Sequence, residues 1–282
     1  MTDQLPRYSV LMSVYAKDNP VYLDQAIRSM FDQDLPFGEL VLVCDGPVPD
    51  EIDRIISEWE KMLNNRLVVL RLSENMGLGS ALNMGLARCS CEYVARMDSD
   101  DLSRPYRCGL LLTKLIENNL DLVGGAIEEF TSVPGDLGAI RRVPCEYDSI
   151  LNRIKTRNPF NHVSVVFKKS TVEKVGGYQH YAWMEDYWLW ARMIASGCRC
   201  ANIEDVVVDV RTGNGMYQRR SNVAYLKSQL NFFRDLRRLG LIGRLDQLCA
   251  SLSRSLVTVL PTKMVKSVYN LLLRDTKDLH VE

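Results

Sequence analysis

The chain has 282 residues, 46% of them apolar and 25% charged, enough to bury a full core as one large domain or one domain with an appendage, which excludes a disordered chain. Its 35 Lys/Arg balance 35 Asp/Glu, so no global field recruits nucleic acid, although ten basic residues face only five acids from Lys227 onward. Eight cysteines in so long and apolar a chain read as free thiols of a reducing compartment, and the one-residue gaps of Cys89/Cys91 and Cys198/Cys200 are not those of a structural zinc site.

In chain order, periodicity predicts a strand over 8–15, a helix over 21–31, a strand over 39–44 and a helix over 51–63. A strand over 67–72, a helix over 79–88 and a strand over 92–97 follow. This alternation implies an α/β fold with a mostly parallel sheet, whose ligands bind beyond the carboxyl ends of the strands. Tyr15, Asp45 and the run Asp98-Ser99-Asp100-Asp101 occupy those ends.

After Arg104 the pattern changes. A helix over 106–118 and a strand over 120–123 precede a turn-rich stretch, 132–138. A strand over 163–167, a short helix ending at Gly176-Gly177, a helix over 185–195 and a strand over 206–210 come next. From 222 to 273 the signal is helical, punctuated by Gly240 and Pro261, which divides the chain into a catalytic domain, 1–221, and a helical segment, 222–282. Met1 to Arg7 lacks a basic segment followed by an apolar core, and no apolar run reaches the roughly 18 residues that span a bilayer. The expectation is a protein that is soluble or attached to a membrane surface.

The chemistry concentrates in two places. Three carboxylates in four positions after a strand, Asp98, Asp100 and Asp101, repel one another unless something cationic sits among them, and hard oxygen ligands suit Mg²⁺ or Mn²⁺ bridged to substrate phosphates. An acidic turn capping the next helix is the alternative. Arg96 either pairs with this run or touches a phosphate. Upstream, glycines from Asn75 to Gly85 open a helix whose N-terminus suits a phosphate or ribose, without the dinucleotide fingerprint. The second place is 183–192, where Trp183, Trp188 and Trp190 flank Glu185 and Asp186. Aromatic faces beside a carboxylate make a sugar platform, or else Trp188 and Trp190 belong to the core, and a carboxylate there suits general-base work.

The ordered set resembles the family 2 glycosyltransferases of the GT-A fold, particularly bacterial members that build O-antigen and exopolysaccharide repeat units. The likeness rests on Val14-Tyr15, Asp45-Gly46, Asn75-x-Gly77, Ala81-x-Asn83-x-Gly85 and Asp98-Ser99-Asp100-Asp101. Asn161-His162-x-Ser164, Gly176-Gly177-Tyr178 and Glu185-Asp186-Tyr187 complete it. The resemblance implies a Rossmann-like mixed sheet flanked by helices, with a C-terminal helical extension. It implies an inverting hexosyltransferase that uses a UDP-sugar, with Tyr15 and Asp45 at uracil and ribose and Asp98 toward ribose or diphosphate. Asn75, Arg96 and Arg211 are further expected nucleotide-sugar contacts; Arg211 and the pair Arg219-Arg220 either close over the diphosphate or form a solvated basic loop.

By the same resemblance, Asp100 with Asp98 would hold Mn²⁺ or Mg²⁺, and Asp186 is the base. His162, Trp183 and Glu185 are expected on the acceptor side, His162 being alternatively a buried hydrogen-bonded histidine, and the acceptor is expected to be a sugar on a polyprenyl diphosphate. The hexose is expected to be glucose or galactose, placed β1,3 on an N-acetylhexosamine. Only His280 follows Asp186, so no histidine metal ligand is expected. Leu252, Leu256, Val259, Leu260, Met264, Val268, Leu271 and Leu272 fall near one helical face among basic residues. They suit an anionic membrane surface at the cytoplasmic face or, alternatively, packing on the domain. A sugar-phosphate nucleotidyltransferase would need a glycine-rich loop after the first strand, which 13–20 lacks, and a degenerate binding subunit would have lost one of the carboxylates that are all present here.

Overall fold

The computed structural model describes residues 5–212 and 223–259. Its first half holds β1 (Tyr8–Val14), β2 (Glu39–Cys44), β3 (Leu67–Arg71) and β4 (Tyr93–Met97), joined by α1 (Pro20–Phe31), α2 (Asp50–Leu63) and α3 (Leu78–Arg88). The four strands pair in parallel in the order β3-β2-β1-β4. α1 begins where the Asn19 side chain accepts the N–H groups of Val21 and Tyr22 and Pro20 supplies a helical φ. α2 carries Asp50, Glu51 and Asp53 in its first turn, where the helix dipole favours negative charge. α3 lies close on the sheet because Gly85 has no side chain: a Cβ there would meet Leu11 Cδ1 at 2.5 Å and Val43 Cγ2 at 2.6 Å.

The second half adds β5 (Leu102–Ser103), α4 (Arg107–Glu117), β6 (Leu122–Phe130), β7 (Ala139–Arg141) and α5 (Tyr147–Arg153). A single 3₁₀ turn at His162–Ser164, β8 (Val166–Lys168), α6 (Lys169–Lys174), α7 (Glu185–Ala195) and β9 (Cys200–Arg211) follow, and then α8 (Val223–Arg238) and α9 (Arg244–Val259). β8 is antiparallel to both β4 and β6, so β6 runs in the direction of β4, and β9 is parallel to β6. The sheet, β3-β2-β1-β4-β8-β6-β9-β5 with β7 on β6, is therefore mixed but mostly parallel in sense.

Helices cover both faces. Val10, Met12, Leu40 and Leu42 bury against α1, α2 and α4, while the alternate residues Leu11 and Val41 bury with α3, α5, α7 and α8 on the opposite side. α8 joins that second core through Phe232, Phe233 and Leu236. α9 contributes Ala250 but leaves Leu245, Leu248 and Leu252 exposed. Among the described residues no helix is long and apolar enough to cross a membrane.

Several boundaries differ from the sequence reading. The strand expected over 120–123 runs on to Phe130, through Gly124 and Gly125, which act here as close-approach residues and not as breakers. A Cβ at Gly125 would meet Val207 Cγ2 at 2.8 Å, and one at Gly124 would collide with the Asn202 amide oxygen. The expected strand over 163–167 is a 3₁₀ turn followed by β8, and the strand expected over 206–210 is the end of β9. The short elements β5, β7 and α5 carry too few periods to register as patterns. The helical signal from 222 divides at Gly240 into α8 and α9, and its part beyond Val259 lies outside the described residues.

Candidate active site

The acidic run sits where β4 ends and turns into β5, and it is held from three directions. Beneath it, Arg96 is 1% exposed and forks onto both carboxylate oxygens of Asp98. From the β9 end, the backbone N–H of Arg211 donates to Asp101 Oδ1 at 2.8 Å and its Nε donates to the Asp100 carbonyl at 3.1 Å. The Arg211 guanidinium stacks on Tyr22 and Phe130, 3.7 and 4.6 Å from their ring centres, and reaches Gln25 Oε1. From the turn between β1 and α1, Asp18 Oδ2 accepts both the Ser99 hydroxyl at 2.8 Å and the Tyr15 N–H at 3.1 Å.

Negative charge accumulates here beyond what Arg96 balances. Burial, Asp98 and Asp18 push the Asp100 carboxyl up to about 6. Burial likewise raises Asp18, and raises Asp101 well above the usual carboxylate range, with Asp98 and Asp100 adding to the Asp101 effect. Among the described residues no side chain donates to the Asp100 carboxylate, and no three His, Cys, Asp or Glu side chains form a ready-made cation cage. Asp100, with its raised proton affinity and no side-chain donor among the described residues, fits a divalent cation whose other ligands are a neighbouring carboxylate, water and diphosphate oxygens, the usual way Mg²⁺ and Mn²⁺ are held beside a nucleotide.

Next to the run, the ends of β2 and α3 interlock. Asp45 accepts the N–H groups of Met76 at 2.7 Å and Gly77 at 3.0 Å, while Asn75 Nδ2 donates to the Asp45 carbonyl at 3.2 Å. Gly46, at φ +88°, has to be glycine: a Cβ would lie 2.8 Å from Asn75 N. Tyr15, the residue after β1, is 38% exposed, and the backbone just before it accepts the Asp45 N–H at Val14 O. Asp45 is thus buried and already bound to backbone, with spare acceptor capacity on each oxygen.

The other wall is the start of α7. Trp183 is exposed and held at φ +66°, a conformation rare for so bulky a residue, and its ring meets Tyr225 of α8 edge-on at 5.7 Å. Asp186, in the first turn, is half-buried and accepts Asn158 Nδ2 at 2.7 Å. Burial raises its carboxyl, and the Tyr187 N–H, Arg96 and Asn158 pull it back. Glu185 is raised by burial and by Asp186, with its stem against Gly79. His162 bonds Tyr178 through Nε2 at 2.9 Å, and burial with the Arg96 charge holds it well below its usual value, so it is neutral. Trp190 is fully buried and Trp188 packs on Tyr181 and Phe232, so these two tryptophans are core.

Arg96 is the charge common to both walls, since it acts on Asp98, Asp100, Asp101, His162, Tyr178 and Asp186. Of its two readings, the structure places it in the ion pair. Sequence reasoning missed Asp18 and Asn158, whose partners lie 81 and 28 residues away, and Arg107. The fully buried Arg107 donates to the carbonyls of Arg96 and Val163 and so fixes the strand end under the acidic run. Arg219, Arg220 and His280 lie outside the described residues.

An α/β sheet with a carboxylate run at its switch edge and a second carboxylate at a facing helix start is the arrangement of the GT-A nucleotide-sugar transferases. The sequence model of glycosyl transferase family 2 matches residues 9–175, and the chain belongs to that family. It is 37% identical to the UDP-Gal:α-D-GlcNAc-diphosphoundecaprenol β-1,3-galactosyltransferase of Escherichia coli, over 97% of this chain and 99% of that protein. It is 36% identical to the amylovoran biosynthesis glycosyltransferase AmsE of Erwinia amylovora, over 93% and 97%. Among solved structures, S. aureus TarS 1–349 in complex with UDP-GlcNAc superposes with a TM-score of 0.64 at 17% identity, covering 95% of this chain and 74% of that one. The mannosyltransferase PcManGT of Pyrobaculum calidifontis, in complex with GDP-Man and Mn²⁺, gives 0.62 at 19%, covering 96% and 81%. These two structures share the GT-A fold with this chain, which is an enzyme of sugar transfer.

Proposed function

We propose that the enzyme transfers galactose from UDP-galactose to the 3-hydroxyl of an N-acetylglucosamine carried on a polyprenyl diphosphate, with inversion to a β linkage. The observation that carries this reading is the likeness to the E. coli galactosyltransferase over 97% of this chain and 99% of that protein. Tyr15, Asp45 and Asn75 form the notch for uracil and ribose, with Arg211 bracing the diphosphate side. Trp183, His162 and Glu185 line the acceptor side.

Asp186 accepts the proton of the acceptor hydroxyl as that oxygen attacks the anomeric carbon. The bond from that carbon to the diphosphate oxygen breaks, and its electron pair leaves with UDP. Attack from the face opposite UDP inverts an α-linked donor. Asp98 and Asp100 would hold Mn²⁺ or Mg²⁺, which neutralises charge growing on the leaving diphosphate. Arg96, buried and fixed, holds Asp98 toward that side and keeps a positive charge between the two walls.

A lipid-linked acceptor is met at a bilayer surface. The exposed Leu245, Leu248 and Leu252 of α9, in a basic C-terminal segment, suit peripheral attachment to an anionic membrane, on the cytoplasmic side where UDP-sugars are available. In this reading 1–221 is the catalytic domain, α8 packs on it, and the rest of 222–282 is the segment that meets the lipid.

The test is a donor panel (UDP-galactose, UDP-glucose, UDP-N-acetylglucosamine, GDP-mannose) on a synthetic N-acetylglucosamine diphosphate-lipid, with Mn²⁺ or EDTA. Wild type is compared with Asp186→Asn, and the product linkage is determined. A β1,3-galactosyl product that needs the cation and vanishes in Asp186→Asn supports the reading. Preference for another donor overturns the galactose assignment, and turnover by Asp186→Asn overturns the base.

A further inference from the structure

A carboxylate base has two oxygens, and the structure treats those of Asp186 differently. Oδ2 accepts the Asn158 amide at 2.7 Å. The orientation of that amide is fixed from its other end, because Asn158 Oδ1 accepts the Phe160 N–H at 3.1 Å. A backbone N–H only donates and an ionised carboxylate only accepts, so the flipped amide would oppose like with like at both ends. Asn158 is therefore a wedge of defined polarity between the loop that enters the 3₁₀ turn and the first turn of α7. It is also close to two fixed points of the site. Phe160 packs edge-on to Trp190, the buried centre of α7, and Asn161 in the same loop is locked to the Gly125 carbonyl.

We infer that Asn158 is a positioning residue for the transfer reaction: by occupying Asp186 Oδ2 it presents Oδ1 to the acceptor hydroxyl and holds the carboxylate plane in the attacking direction. The inference rests on the assignment of Asp186 as base. The charged and titratable groups around that base are Arg96 from β4, Tyr178 from the loop before α7 and Glu185 on α7 itself. Only Asn158 makes a side-chain hydrogen bond to the Asp186 carboxylate among the described residues. Arg96 lowers the proton affinity of Asp186 through space and the Tyr187 N–H does so by a backbone hydrogen bond, whereas Asn158 holds Oδ2 from a side chain.

Two variants separate orientation from simple loop support. Asn158→Ala removes both hydrogen bonds. Asn158→Asp keeps the acceptor for the Phe160 N–H, and so the loop, but sets a second carboxylate against Asp186. Full-length enzyme is assayed from pH 5 to 9 with donor and acceptor varied, beside Asp186→Asn, and the melting temperature of each is recorded.

For Asn158→Ala, kcat at neutral pH falls roughly ten- to a hundredfold, with KM for the donor unchanged within about twofold. The acid limb of kcat moves up by about one pH unit, since a lost hydrogen bond to the charged form favours protonation. Asn158→Asp folds like wild type yet shows an equal or larger kcat loss and a larger upward shift of that limb. Wild-type kcat and pH profile in Asn158→Asp overturn the inference, leaving Asn158 a loop support. So does a defect in Asn158→Ala confined to KM or to melting temperature. If Asp186→Asn itself turns over normally, the base assignment fails first, and that result is distinct from either of these.

Discussion

Asn83 holds Tyr178 by both of its backbone groups: the Asn83 amide donates to the Tyr178 carbonyl, and its Oδ1 accepts the Tyr178 N–H at 2.6 Å. Residues 95 positions apart are thereby joined, and a helix that opens beside the nucleotide notch is tied to the turn that leads into the base helix. The turn can approach because Gly177, at φ +63°, has no Cβ to strike the Asn83 side chain. Arg192 closes it from below by donating to the carbonyls of Val175 and Gly177.

Gly177→Ala is therefore expected to destabilise, through both the left-handed backbone and the collision with Asn83. At about 1–2 kcal/mol for the backbone alone and roughly 2–4 °C per kcal/mol for a chain of this size, melting falls by about 2–8 °C in calorimetry. Asn83→Leu, which leaves both Tyr178 backbone groups without their partner, loses a similar amount. Both variants lower kcat more than donor binding, because Tyr178 also supports His162 and the entry to α7. Wild-type kcat in folded Asn83→Leu would remove the turn from the account of the site.

The carboxylates beside Asp98 make metal-free stability depend on pH in an unusual direction. Asp100, pushed up to about 6, binds a proton more readily in the folded chain than in the unfolded one. A group raised in this way contributes stability that is full below its unfolded value near 4 and lost as pH rises through about 6. In EDTA, wild type is expected to gain on Asp100→Asn as pH drops from 8 to 5, and at pH 8 the Asn variant is the more stable by about 1–2 kcal/mol. Mn²⁺ reverses that order at pH 8, since a cation replaces the proton, and its affinity, read by calorimetric titration, weakens as pH falls below about 6. Equal melting curves for the two proteins across pH 5–8 would contradict the crowding of charge at this loop.

Why some of this was legible in the sequence and some was not has a physical basis. Up to Met97 the strands declare themselves as short apolar runs buried on both faces and the helices by one buried periodic face, and Asp98, Asp100 and Asp186 stand out because carboxylates crowd together at element ends. The expected strand over 120–123 stops short of Gly124 and Gly125, and what makes those positions glycine within a strand is set by neighbours, Asn202 and Val207, some 80 residues on. Asp18 and Asn158 are single polar residues in ordinary turns, and nothing local marks them, because their partners are supplied by the tertiary fold. Arg96 offered two roles, and burial decides between them: at 1% exposure its guanidinium lies on Asp98, inside the protein.

On α9, Leu245, Leu248 and Leu252 are 77%, 56% and 62% exposed while Ala250 on the same helix is buried. Leucines three and four positions apart form one stripe, and exposing that much apolar surface is unfavourable unless a partner covers it. The surrounding segment from Lys227 carries an excess of basic residues, which favours an anionic bilayer as that partner. Replacing the three leucines by Gln is expected to leave the melting temperature unchanged, since their side chains contribute little to the core. At about 1 kcal/mol for each inserted side chain, partition onto phosphatidylglycerol-containing vesicles in a sedimentation assay falls roughly a hundredfold. Turnover of a long-chain lipid acceptor presented in those vesicles falls with it, while turnover of a short-chain, water-soluble acceptor stays at the wild-type level. Loss of both activities would place the stripe in the catalytic fold. A change in oligomeric state with vesicle binding intact would make its partner a second copy of the chain.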